Sequence, residues 1–107
     1  MDKPKMKIRG TPETDIRNKI KIKLMSFGWH VFVTHGNEYQ HGFPDLYAIH
    51  AKYGYRWIEV KNPKAYSFTA AQLERFPLFA SCNIGIWILT SDDNGEIDKL
   101  FQPANWW

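Results

Sequence analysis

Apolar residues in the first third of the chain recur at helical spacing. At 100° per residue Ile16, Ile20, Leu24 and Phe27 fall within one narrow stripe. Thr11 stands as N-cap, Pro12 at the first helical position, Glu13 and Asp15 in the first turn, and Gly28 as a stop. A helix is predicted between them. "WHVFVTH" (29–35) is β-branched and aromatic, a strand, and "GNEYQHG" (36–42) a loop with glycine at each end. "PDLYAIH" and "YRWIEVK" are two further strands joined by "AKYGY". With Gly54 closing a three-residue loop of Lys52, Tyr53 and Gly54, Ala51 pairs with Tyr55 and His50 with Arg56. The same ladder sets Asp45 opposite Lys61. "TAAQLERF" opens a second helix with Thr69 and Gln72 in a capping box, and Pro77 predicts a kink or an early end. "NIGIWILT" is apolar without alternation, as in a central strand covered on both faces and parallel to its predecessor. A turn, "SDDNGE", and a short helix near 97–102 close the chain. The order α-β-β-β-α-β-α predicts an α/β fold, a mixed central sheet flanked by helices.

Three residues break this pattern. Glu59 and Lys61 lie two apart, so they share a strand face with Trp57, while Ile58 and Val60 take the other. In the register above Asp45 faces Lys61 and lies diagonal to Glu59, within about 7–8 Å. Two carboxylates and an ammonium on a core-side patch cost stability unless they pair or bind something. Carboxylates this close repel, and Mg2+ takes such hard oxygens with water and phosphate in its remaining positions. The Val60 carbonyl between the two side chains offers another oxygen. A cation held there lowers the pKa of bound water and neutralises phosphate charge. Lys61 beside it suits orienting or deprotonating the water, or steadying the phosphoryl oxygens. The plainer alternative is a structural ion-pair network, since E-x-K is a short and common pattern. Pro44 fixes the backbone before Asp45, and Gly42 permits close approach of a ligand. Glu13 lies on the buried stripe of the first helix, where a favourable charge at a helix N-terminus explains it as simply.

Composition narrows the setting. One domain fits 107 residues, and 44% hydrophobic with 16% aromatic residues excludes a disordered chain. No apolar run approaches the roughly 20 residues of a membrane span, and the N-terminus lacks the apolar core of a secretory signal. A single Cys82 forms no internal disulfide and is expected as a small buried side chain. A soluble cytoplasmic protein is the expectation. Residues 1–25 hold eight basic residues (Lys3, Lys5, Lys7, Arg9, Arg17, Lys19, Lys21, Lys23) against three acidic ones, within a net charge of +3. Residues 1–10 thus form a basic arm that suits an anionic partner such as nucleic acid, or equally a solvated tail. The four histidines with Cys82 match no common zinc spacing. Trp29, Trp57 and Trp87 are expected in the core. The terminal "NWW" either closes over the core or makes an oligomer contact, the contact being favoured.

"GFPDL", "IEVK" and "SFTAAQ", in this order and on these elements, resemble the PD-(D/E)XK nuclease superfamily, most closely its small VRR-NUC type. The resemblance spans about 12–90 and implies a restriction-endonuclease-like core within a single nuclease domain, 11–107. It implies metal-dependent endonucleolytic hydrolysis of DNA, with Asp45 and Glu59 as ligands of Mg2+ (Mn2+ as substitute) and Lys61 as catalytic lysine. Gln72 matches the motif glutamine, and Glu13 the acidic residue that many members carry on the first helix to assist a metal or its water. Lys3, Lys5, Lys7, Arg9, Lys19, Lys23, His35 and His41 are the candidate DNA contacts. A homodimer or higher homo-oligomer would bring two sites to a duplex or junction. Junction resolvase, flap or repair nuclease, and homing or restriction-type endonuclease stay open as substrates, and a catalytically inactive nucleic-acid-binding module of the same fold is the alternative.

Overall fold

The computed structural model describes residues 12–34 and 41–106. Helix α1, Pro12–Ser26, buries Ile20 and Leu24, with Ile16 packed against them. Phe27 does not complete the stripe as expected: it is 53% exposed. The helix stops one residue earlier because Gly28 takes φ +90°, which lets the Gly28 N–H donate to the Met25 carbonyl and the Trp29 N–H to that of Leu24. Such a left-handed closure brings the residue after the glycine back onto the last turn. Trp29, not Phe27, fills the core above Leu24.

Four strands form one sheet in the order β1 (His30–Val33), β2 (Leu46–His50), β3 (Gly54–Val60), β4 (Ile86–Leu89). β1–β2 and β2–β3 are antiparallel, and β3–β4 is parallel. Helix α2, Ala70–Ser81, makes the crossover between the parallel pair; a short helix α3, Asn94–Ile97, runs into a 3-10 turn, Asp98–Phe101. The mixed α/β architecture is the one predicted. Leu46, Ala48, Ile58 and Val60 point to α1 and join Ile20, Leu24 and Leu89 in the main core. The opposite face carries Trp57 and Ile86 against Phe76 and Phe79 of α2.

Four expectations about the second half are corrected. β4 is not central; it ends the strand order, and its outer edge is sealed by the chain's own C-terminal segment. The Asn105 carboxamide accepts from the Ile88 N–H (2.6 Å) and donates to the Ile88 carbonyl (3.1 Å), while the Trp106 N–H reaches the Ile86 carbonyl (3.3 Å). Both faces of β4 are covered as predicted, Leu89 in the main core and Ile86 against α2, so an edge strand carries the apolar run of a central one. Trp106 accordingly turns inward, its ring 5.4 Å edge-on to Phe76, rather than outward to a contact; Trp107 lies outside the described residues. Of the two outcomes expected at Pro77, the early end does not occur: α2 continues to Ser81, because Leu73, whose carbonyl loses its usual donor, lies on the exposed side with Pro77 itself. Cys82 is exposed, not buried: it caps α2, its N–H shared between the Leu78 and Phe79 carbonyls, just before Asn83 turns the chain at φ 65°. No helix among the described residues is long and apolar enough to cross a membrane.

Candidate active site

The β2–β3 hairpin sets the geometry, and its register differs from the predicted one by two residues. His50 pairs with Gly54, Ala48 with Arg56 and Leu46 with Ile58. Gly54 uses its positive φ (+82°) as the first residue of β3, and the Lys52 N–H bonds to His50 Nδ1 (3.0 Å), so the loop is Ala51–Tyr53. Continuing this ladder places Asp45 opposite Glu59 rather than Lys61. A shift of two preserves the alternation, so all three side chains still belong to one face, the face that α2 covers.

Asp45 is fixed from both sides. Its Oδ2 accepts from the Val60 N–H (2.9 Å), and its carbonyl accepts from the Thr34 N–H (2.9 Å). The buried Thr34 hydroxyl donates to the Pro44 carbonyl. Thr34 is a positioning residue the sequence did not reveal; a threonine at the end of an apolar strand looks like strand composition. Lys61 donates its N–H to the Leu89 carbonyl (3.1 Å). Successive strand residues bond to opposite sides, so the Val60 carbonyl faces the Asp45 side of β3.

Around Glu59 the network is closed on one side only. Gln72 Nε2 donates to Glu59 Oε2 (2.7 Å), Lys61 Nζ lies 3.1 Å from the same oxygen, and Lys61 Nζ donates to Gln72 Oε1 (2.9 Å). Gln72 also holds the start of its helix: its Oε1 accepts from the Thr69 N–H, and its own N–H donates to Thr69 Oγ1, both at 3.1 Å. The predicted capping box and the motif glutamine are therefore one and the same side chain. Lys61 sits over the Phe68 ring, 4.5 Å from its centroid. Glu59 and Lys61 are 1% and 3% exposed. Glu59 Oε1 is buried and, among the described residues, accepts no hydrogen bond. Burial first, and then the negative charge of Asp45, push the Glu59 carboxyl up to about 8 against the opposing pull of Lys61 and Gln72. An orphaned carboxylate oxygen beside a second carboxylate and a backbone carbonyl is a hard-oxygen donor set that fits Mg2+ or Mn2+.

The other sequence-derived candidates are placed differently. Glu13 is half-buried in the first turn of α1, and among the described residues no three His, Cys, Asp or Glu side chains gather as a metal cage. Lys19 and Lys23 stand on α1, which packs on the sheet face away from the acids. His41 is exposed in the turn before Gly42. Gly42 itself, at φ +80°, has the Ala71 carbonyl where a Cβ would stand, so on that side its close neighbour is the backbone of α2 rather than a ligand. Lys3, Lys5, Lys7, Arg9 and His35 lie outside the described residues.

A mixed four-stranded sheet with an acid pair at the open end of its central hairpin, and a lysine and a glutamine closing over one acid, is the class of architecture to which the sequence motifs pointed. A search of solved structures finds a chain described as a VRR_NUC domain, 23% identical, with a TM-score of 0.63 over 87% of this chain and 97% of that one. This chain has the fold of that domain. No family model matches the sequence. No curated protein matches it significantly.

Proposed function

We propose that this protein is a metal-dependent nuclease that hydrolyses DNA phosphodiester bonds, with Asp45, Glu59 and the Val60 carbonyl as the seat of Mg2+ or Mn2+ and Lys61 as the catalytic cation. The observation that carries the reading is the buried Glu59 Oε1, which has no partner among the described residues, beside Asp45. A purely structural ion-pair network would leave no acceptor empty. The fold shared with a VRR_NUC domain supports the same reading.

When bound, the cation supplies neutralisation of phosphate charge and a more acidic water. Asp45 is pre-aligned by the Val60 N–H, and that bond ties it to the strand that presents Glu59. Lys61 is held by Glu59, Gln72 and the Phe68 ring, so its ammonium stays in one place to orient water or to bond the phosphoryl oxygens as their charge grows. Gln72 fixes both by donating through one amide atom and accepting through the other. The basic arm adds salt-sensitive affinity for phosphates. Two chains acting together would cut both strands of a duplex.

Asp45→Asn is the cleanest test, because it removes a charge and keeps an acceptor for the Val60 N–H. Nicking of supercoiled DNA in Mg2+ or Mn2+ disappears in this variant while its melting temperature stays at or above that of the wild type. A wild type that binds DNA and never cuts it with either metal is instead a binding module.

A further inference from the structure

The sheet face that carries Asp45 and Glu59 continues toward β1 as a shelf of aromatic rings that α2 leaves open. Alternation puts Tyr47 on the face of Asp45, and Tyr55 and Trp57 on that of Glu59. Across the strands Tyr47 pairs with Trp57 and with Phe32. The Tyr47 ring lies 4.6 Å from Trp57 and 6.0 Å from Tyr55. At the Trp57 end the shelf runs under α2, where Phe43 and Phe79 meet Trp57 edge-on. At the other end Phe32 is 53% and Tyr55 48% exposed.

We propose that Phe32, Tyr47 and Tyr55 form a stacking platform for unpaired nucleobases next to the acid pair. Stacking grips any base by its π-face, and a duplex keeps those faces covered by neighbouring base pairs, so a shelf of this kind selects unpaired strand. The position is right for it: residues two apart on a strand are about 7 Å apart, so Tyr47 is one such step from Asp45 and Trp57 one from Glu59. A cation lies at the covered end as well: Arg75 sits over Phe43, 5.4 Å from the ring centroid. That the bound strand is then cut rests on the nuclease reading; that the rings bind bases does not.

The test is fluorescence anisotropy with the full chain in EDTA, comparing a single-stranded oligonucleotide with the duplex of the same length. The wild type favours the single strand. Phe32→Ala and Tyr55→Ala each weaken single-strand binding by about five- to a hundredfold and leave duplex binding unchanged, while Phe32→Tyr and Tyr55→Phe keep wild-type affinity. Equal binding in all variants, or a wild-type preference for duplex, overturns the proposal. So does a wild-type dimer that the alanine variants dissociate without loss of single-strand affinity, which would make the shelf an interface between copies. A measurement on the wild type covers variants that fail to fold: photo-crosslinks from iodouracil-substituted single strand map to Phe32, Tyr47 or Tyr55, and crosslinks confined to other residues refute the platform. Loss of single-strand preference in the alanine variants with no cleavage by the wild type supports the platform and removes the nuclease; cleavage with no effect of the rings does the reverse.

Discussion

Glu59 makes the stability of the metal-free protein depend on pH in an unusual direction. Its carboxyl is raised from an ordinary 4.5 to about 8, first by burial and then by Asp45. Between those values the folded state binds a proton that the unfolded state has lost, so stability falls as pH rises through the interval and levels off above about 8. At about 1.4 kcal/mol per pH unit the loss has a ceiling of about 5 kcal/mol, a large share of the 5–15 kcal/mol that holds a typical domain together. Glu59→Gln cannot titrate and removes this component. Urea unfolding in EDTA at several pH values between about 5 and 9, taken as the difference between wild type and Glu59→Gln, isolates it from the histidines. The wild type is the more stable partner at the acid end and the variant at the alkaline end. Adding Mg2+ at the alkaline end restores stability to the wild type, in proportion to the logarithm of metal over its dissociation constant, and leaves the variant little changed. A difference that is flat or rises with pH, or an equal response of both proteins to Mg2+, refutes the account of Glu59.

Asn105→Ala removes two hydrogen bonds from the outer edge of β4; a loss of about 1–2 kcal/mol in urea unfolding, with concentration-dependent light scattering from the opened edge, is expected. Gly42→Ala forces a side chain into a left-handed backbone and against the Ala71 carbonyl, so it costs at least about 1–3 kcal/mol and lowers nicking activity by displacing the Asp45 segment from α2; a variant with wild-type melting and activity would show the approach to be soft.

The face shared by Asp45, Glu59 and Lys61 was legible because strand alternation depends only on parity, which the two-residue error in the hairpin register left intact. The register itself was not, since Gly54 permits a left-handed turn whether it sits inside the loop or at the head of β3, and His50 decides between them by accepting from Lys52. Gln72 was legible twice, as an N3 residue and as a motif glutamine, but that one amide serves both roles is a three-dimensional fact. The place of β4 was hidden for a similar reason. An apolar run reports that both faces of a strand are covered, as Ile86 and Leu89 are here; it does not report whether the edge neighbour is another strand or, as in this chain, a tail 17 residues on. Gly42 signalled a close approach without saying whether backbone or ligand approached.

Gln72 joins two things that usually come apart separately. The first turn of a helix is ordinarily the earliest part of it to fray, and such openings normally stay local. In this fold the amide that would swing free in fraying is the one that bonds both Lys61 and Glu59. The turn at Thr69 therefore opens only together with the charged cluster, and motion at the helix start becomes a gauge of whether that cluster is assembled.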